Sequence, residues 1–220
     1  MPETQQEHLI LTEWNLDLNV SSNASVNPSK RSTSPKSWSP PAHNTFKLNF
    51  DGTAKGNPGP AGYGGVIRRH TGEVAQIYYG TLGIDTNNAA ELEGLWIGIK
   101  LAEHHHLFPL TVEGDSLILI EAAKRLQAGS KAVKIATSWR LLSRLEELEE
   151  KLHNPLNITF QHVRRNANQV VDRMANQGVT QAEAYFSGSL DTIDDAQLKQ
   201  ECIDLVQKYL PPPDAGAARM

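Results

Sequence analysis

The order in which two hydrophobic periods follow one another restricts the fold of this chain more than any other feature. Phe46, Leu48 and Phe50 alternate with polar residues, which is the two-residue period of a half-buried strand. Strand-like stretches at 63–69 and 74–80 follow, separated by glycine-containing turns. Three strands joined by turns predict a meander at the start of the fold.

After Asn88 the period changes to that of an amphipathic helix, and helices then alternate with short strands. The apolar spacing predicts helices at 88–105, 117–126, 136–152 and 167–177, and strands at 110–114 and 156–163. The predicted order is therefore βββαβααβα. Such an order implies an α/β fold with a five-stranded mixed sheet flanked by helices.

The two ends of the chain differ in composition from this middle region. Residues 1–45 are rich in Ser, Asn, Thr and Pro without a sustained period, which predicts a flexible arm. Residues 46–180 contain the predicted domain. Residues 181–220 are an acidic tail, in which 196–210 has the spacing of an amphipathic helix that ends at Pro211.

The net charge of −4 is unevenly distributed along the chain. Residues 46–180 contain 15 Lys and Arg against 14 Asp and Glu, whereas residues 181–220 contain 3 against 7. Four of the acidic residues in the middle region are candidate metal ligands, and without them the region is basic. The middle region is therefore compatible with a polyanionic partner such as a nucleic acid.

No part of the sequence predicts a membrane segment or a secretion signal. Apolar runs are shorter than a membrane span, and the N-terminal residues lack the basic and apolar pattern of a signal peptide. The single cysteine, Cys202, forms no internal disulfide, which fits a reducing compartment. We expect a soluble intracellular protein, either cytoplasmic or nuclear.

Four carboxylates lie in separate local patterns. The patterns LNFDG, TNNAAEL, VEGDS and VVDRMAN contain, in that order, Asp51, Glu91, Asp115 and Asp172. Carboxylates spread in this way can converge in a fold to hold two divalent metal ions, a site that hydrolyses phosphodiesters without a covalent intermediate. Each pattern alone is weak, since an aspartate on a helix is more often solvated surface. Their joint occurrence supports the hypothesis.

Two of these carboxylates are expected at the ends of strands. Asp51 and Asp115 each fall on the polar face of their strand, opposite the apolar residues. If the two strands are parallel neighbours, both side chains emerge together at the carboxyl ends, where ligands of open α/β sheets bind. Glu91 is expected in the first turn of a helix.

Longer stretches around these residues are similar to a known family. They are FKLNFDGTAKGNPGPAGYGGVIR, TNNAAELEGLWIGIKLA, TVEGDSLILI and ITFQHVRRNANQVVDRMAN. In this order and spacing they resemble a type 1 ribonuclease H domain, and most of all its plant, retroelement-derived branch. The resemblance covers residues 46–178.

The resemblance implies a function as well as a fold. The family cleaves the RNA strand of RNA/DNA hybrids, and Asp51, Glu91, Asp115 and Asp172 would take its four metal-ligand roles. Two Mg2+ ions, with Mn2+ as a substitute, would act in a two-metal mechanism that leaves a 5′ phosphate. Oxygen ligands suit these ions, and no clustering of Cys and His indicates zinc.

The resemblance also implies substrate contacts. Asn57 matches the residue that reads RNA 2′-hydroxyls, and Thr86, Asn87 and Asn88 match a helix start that contacts the hybrid backbone. Small polar residues there equally fit plain helix capping. Arg164 and Arg165, which follow the last predicted strand, are candidates for phosphate contact.

Three departures from the family pattern bear on activity, and one of them is Leu117, which follows GDS where some relatives have a polar residue that contacts RNA. Asn166 occupies the position where we align a histidine that assists product release, and an asparagine cannot shuttle a proton near neutral pH. In addition, the basic protrusion of some bacterial members is missing between Gly129 and Leu141. We expect weaker affinity with a steep salt dependence.

Three alternatives stay open at this stage. The first is a catalytically weakened module that still binds nucleic acid. The second is a detached part of a retroelement polyprotein, whose upstream polymerase would deliver the substrate. The third is a related exonuclease or integrase, against which the TNNAAEL and GNPGPAG patterns argue.

Overall fold

A single mixed sheet organises the part of the chain that the computed structural model describes, residues 38–129, 139–153, 156–181 and 184–208. Its strands are β1 Phe46–Ala54, β2 Gly59–Arg69, β3 Val74–Asp85, β4 Leu110–Gly114, β5 Ile158–His162 and β6 Tyr185–Gly188. The helices are α1 Asn87–His104, α2 Leu117–Gln127, α3 Trp139–His153, α4 Gln169–Thr180 and α5 Ala196–Gln207.

The strands lie in the order β5-β4-β1-β2-β3-β6. The first three strands form an antiparallel meander, and β4 and β5 extend the sheet from β1 in parallel. The predicted α/β fold and its element order are confirmed through α4. The sequence predicted five strands and the sheet has six, because β6 pairs with the free edge of β3. With four residues and no clear alternation, β6 depends on this long-range pairing rather than on a local pattern.

Successive side chains of a strand point to opposite faces of the sheet, so the buried apolar residues form one cluster on each face. Leu48 and Phe50 point toward α1, α2 and α3, whereas Val66 and Ile77 pack with α4 and α5. All four side chains are buried. Asn49, between Leu48 and Phe50, therefore lies on the second face, under the start of α4.

Helix α5 lies in the segment that the sequence predicts as an acidic tail. Its apolar stripe, Leu198, Cys202 and Val206, is buried against the second face, and the Phe186 ring of β6 stacks on Tyr79 at 4.8 Å. The helix predicted at 196–210 is present over Ala196–Gln207, and its last residues lie outside the described ranges.

The predicted arm, 1–45, is described only from residue 38. Trp38 is buried to 5% exposure against the sheet, a contact that the Ser- and Pro-rich composition gave no reason to expect. Within the described ranges, none of the helices has the length and apolar character needed to cross a membrane.

Candidate active site

The parallel pairing of β1 and β4 brings two candidate carboxylates together. Asn49 lies opposite Glu113 in the register. Asp51, within β1, and Asp115, just after β4, each follow two residues later, so both lie on the same face of the sheet where the pairing of these two strands ends. Asp51 is buried, whereas Asp115 is partly exposed.

Glu91 reaches the same place because α1 packs tightly on β1. Thr86 caps the helix, its hydroxyl accepting a hydrogen bond from the backbone N–H of Ala89 at 3.2 Å. Gly52 lies against the first turn, where a Cβ would overlap the backbone of Ala90 and Glu91. The glycine that follows Asp51 thus sets the distance between strand and helix.

Asp172 is supplied by α4, in the first turn of that helix. Arg165 donates a hydrogen bond to its Oδ1 at 3.3 Å, and the Asn176 amide donates to its backbone carbonyl at 2.8 Å. The four predicted carboxylates therefore come from two strands and two helices. They lie close enough together that the charges of the other three each raise the pKa of Asp51.

The pKa values of two of the four carboxylates are raised. Burial, followed by the charges of Asp115 and Glu91, raises the pKa of Asp51 well above its usual range. Burial raises the pKa of Glu91 to about 7, and the neighbouring Ser116 hydroxyl opposes that rise. Such a site favours a bound cation, because a positive charge removes the repulsion between the carboxylates.

Each of the four carboxylates accepts a hydrogen bond from the protein. Gly52 N–H donates to Asp51 at 2.8 Å, and the Asn87 amide donates to Glu91 Oε1 at 3.0 Å. Among the described residues, no three carboxylates stand close enough together to hold one ion as they are. Glu91 Oε2 is nevertheless buried without a hydrogen-bond partner there, which leaves an oxygen available to a metal.

Four of the predicted substrate residues, Asn57, Thr86, Asn87 and Asn88, lie at or beside the start of α1. Asn57 is exposed, and its side-chain oxygen accepts a hydrogen bond from the backbone N–H of Asn87 at 3.1 Å. Thr86 is used as a helix cap, and the half-buried Asn88 lies beside it in α1. The loop that contains Asn57 is therefore joined directly to the helix that carries Glu91.

Arg164, Arg165 and Asn166 are exposed after β5. The guanidinium of Arg165 faces the carboxylates, since its charge acts on the pKa of Glu91. Sequence reasoning missed His162, whose Nε2 lies 3.1 Å from the backbone oxygen of Asp115. The position of His162 at the end of β5, beside the strand that leads to Asp115, was the available signal.

Asn168 immediately precedes α4, four residues before Asp172. Its buried amide nitrogen donates to Asp115 Oδ1 at 3.2 Å and to the backbone oxygen of Phe50 at 2.9 Å. The side chain therefore joins the start of α4 to both strands that supply aspartates.

Solved structures define the class of this fold. The N-terminal RNase H domain of a Mycobacterium tuberculosis protein, solved as a fusion with maltose-binding protein, is 30% identical with a TM-score of 0.52, over 61% of this chain and 93% of that one. The LC11 RNase H1, solved in complex with an RNA/DNA hybrid, is 26% identical with a TM-score of 0.53, over 61% and 96%. The fold is that of ribonuclease H.

The family model described as reverse transcriptase-like matches residues 49–178. The chain belongs to this reverse transcriptase-like family of ribonuclease H-like domains. A provisionally named ribonuclease H protein of Arabidopsis thaliana is 28% identical over 159 residues, which is 72% of this chain and 24% of that protein. The chain thus spans about a quarter of that relative's length.

Proposed function

We propose that this protein hydrolyses the RNA strand of RNA/DNA hybrids in a reaction that depends on divalent metal ions. The observation that carries the proposal is the convergence of Asp51, Glu91, Asp115 and Asp172 at one edge of a ribonuclease H fold. Relatives named ribonuclease H, and a similar structure solved with a hybrid, support the same substrate class.

The four carboxylates would hold the metal ions. Glu91 supplies a buried oxygen that has no hydrogen-bond partner among the described residues, and Asp51 supplies a carboxylate whose charge is disfavoured until a cation binds. Two bound Mg2+ ions, or Mn2+ in their place, would activate the attacking water and stabilise the departing 3′ oxygen, leaving a 5′ phosphate. Hard oxygen donors are the ligands that these ions prefer.

Other residues of the chain would bind and orient the substrate. Asn57 presents an exposed amide nitrogen beside α1, where it would donate to a 2′-hydroxyl of the RNA strand. Asn87 and Asn88, at the start of α1 beside the cap residue Thr86, would contact the backbone. Arg165 is an exposed cation beside Asp172, Arg164 is an exposed cation next to it in the chain, and both would bind phosphates.

The alternative is a binding module that retains the fold without efficient cleavage. The observation that favours it is Asn166, an exposed amide where we aligned a histidine that assists product release. The reverse transcriptase-like description of the family supports an ancestral polyprotein with an upstream polymerase as partner.

A cleavage assay on the full chain tests the proposal. We expect Mg2+-dependent cuts in only the RNA strand of a labelled hybrid, with 5′ phosphate ends and no cuts in double-stranded RNA or DNA. Asp115→Asn abolishes cleavage, whereas Asp204→Asn, an exposed change on α5, preserves it. A folded chain that binds hybrid without cutting it would refute the enzyme and leave the binding module.

A further inference from the structure

A path of hydrogen bonds, buried until its last, partly buried step, joins Trp38 to Asp115. The indole Nε1–H of Trp38 donates to Asn49 Oδ1 at 2.8 Å. The Asn49 amide nitrogen lies 3.4 Å from Asn168 Oδ1, and the Asn168 amide nitrogen donates to Asp115 Oδ1 at 3.2 Å. Trp38 is 5% exposed, and both asparagines are 1% exposed.

The donors and acceptors along this path can be arranged in only one way, because the indole of Trp38 can donate a hydrogen bond but cannot accept one. An indole offers an N–H and no acceptor, so Asn49 must turn its oxygen toward Trp38 and its two N–H groups the other way. Those groups meet acceptors, Glu113 Oε2 at 3.0 Å and the oxygen of Asn168. The Asn168 amide is thereby turned with its N–H groups toward Asp115.

A buried ion pair stabilises the same arrangement. Lys47 Nζ lies 2.7 Å from Glu113 Oε1, with both side chains almost fully buried. The same Nζ donates to the backbone oxygen of Ser39 at 2.8 Å, and the Trp38 ring lies over the guanidinium of Arg68 at 4.3 Å. Two residues that precede β1 therefore complete and cover the network.

We propose that Trp38, Asn49 and Asn168 are positioning residues that hold the Asp115 carboxylate in the orientation needed for metal binding. This inference rests on the proposed function. It makes the segment that begins at Trp38 part of the active centre, although the match to the family model begins only at residue 49. Groups that orient metal ligands in this way fix both their direction and their affinity for the ion.

Trp38→Phe tests the inference, because it keeps an aromatic ring over Arg68 and removes only the indole N–H and part of the ring. The matched control is Trp96→Phe, which makes the same change in a buried residue of α1 on the other face of the sheet. We expect Trp38→Phe to weaken Mn2+ binding by about tenfold in calorimetry and to lower kcat similarly, with KM for the hybrid unchanged. The control leaves Mn2+ affinity unchanged.

Two further measurements separate positioning from a loss of stability. In the metal-free protein, Trp38→Phe shifts the side-chain amide signals of Asn168 in nuclear magnetic resonance spectra, and Trp96→Phe does not. Asn168→Ala weakens Mn2+ binding in its own right. Combined with Asn168→Ala, Trp38→Phe causes little additional loss, since the two residues act through one path.

The outcomes distinguish the inference from the function on which it depends. If the wild-type chain cuts hybrid and binds Mn2+, but Trp38→Phe matches it in both, the positioning role is wrong and the function stands. Equal losses in Trp38→Phe and Trp96→Phe, or fully additive losses in the double variant, also refute the positioning role. If the wild-type chain neither cuts hybrid nor binds Mn2+, both proposals fail together.

Discussion

The side-chain amide of Asn87 donates a hydrogen bond to Glu91 Oε1 at 3.0 Å, one helical turn away in α1. The backbone N–H of the same Asn87 donates to the side chain of Asn57 at 3.1 Å. Asn87 therefore connects Asn57, the proposed reader of the RNA strand, to Glu91, a proposed metal ligand.

Glu91 is expected to make the stability of the metal-free protein depend on pH. Its pKa rises from 4.5 to about 7 on folding, so between these values the folded chain binds more protons than the unfolded chain. The free energy of unfolding therefore falls as the pH rises through this window. Glu91→Gln reduces that slope and stabilises the metal-free chain by about 1–3 kcal/mol at about pH 8.

Thermal unfolding of both proteins in a metal chelator, from about pH 5 to about pH 8, measures this slope. Glu73→Gln, at an exposed turn residue, serves as the control. Because Asp51 also has a raised pKa, part of the slope persists in Glu91→Gln. Identical slopes in the variant and the parent would contradict the assignment.

Arg165 is expected to act mainly in substrate binding. Its side chain is 76% exposed and lies beside Asp172. Arg165→Gln removes one phosphate contact, so KM for the hybrid rises about three- to tenfold and the slope of log affinity against log salt falls by about 1. Steady-state kinetics at several salt concentrations measure both effects.

Arg69→Gln is the matched control for Arg165. Arg69 is exposed but pairs with Phe46, at the end of β1 and β2 remote from Asp51. Its loss leaves both KM and the salt slope unchanged. Equal effects of the two substitutions would point to general charge attraction instead of a local contact.

Gly52 is expected to tolerate no side chain. A Cβ at this position would overlap the backbone of α1 beside Glu91, so Gly52→Ala must separate the strand from the helix. We expect a loss of about 3 kcal/mol or more in unfolding free energy, together with loss of cleavage. Gly83→Ala, where φ is +72° and nothing lies within 4 Å, costs only about 1 kcal/mol in urea denaturation. Similar costs at both positions would refute the close-packing argument.

Residues 184–208 are expected to be required for a stable domain. Truncation after Thr180 uncovers the edge of β3 and the apolar face that Leu198, Cys202 and Val206 cover. The shortened chain unfolds at a lower temperature or aggregates, whereas truncation after Lys208 retains every described contact. Leu198→Ala alone costs about 2–4 kcal/mol. Equal melting temperatures for the two truncations would contradict this prediction.

Much of the fold could be predicted because local sequence determines it. The alternation at Phe46, Leu48 and Phe50 predicted β1, and the apolar stripe after Asn88 predicted α1. The proposed metal ligands were found in the same way, since Asp51 directly follows one such run. Each of these signals lies within a few residues along the chain.

What the tertiary structure alone decided are relationships between distant residues. The four residues of β6 form a strand only because β3 offers its open edge, and Trp38 is buried only because Asn49 and Arg68 lie beneath it. The contact between Asn168 and Asp115 joins residues 53 positions apart. No local period encodes such pairs, because their free energy arises from long-range packing and from hydrogen bonds that form only once the sheet has assembled.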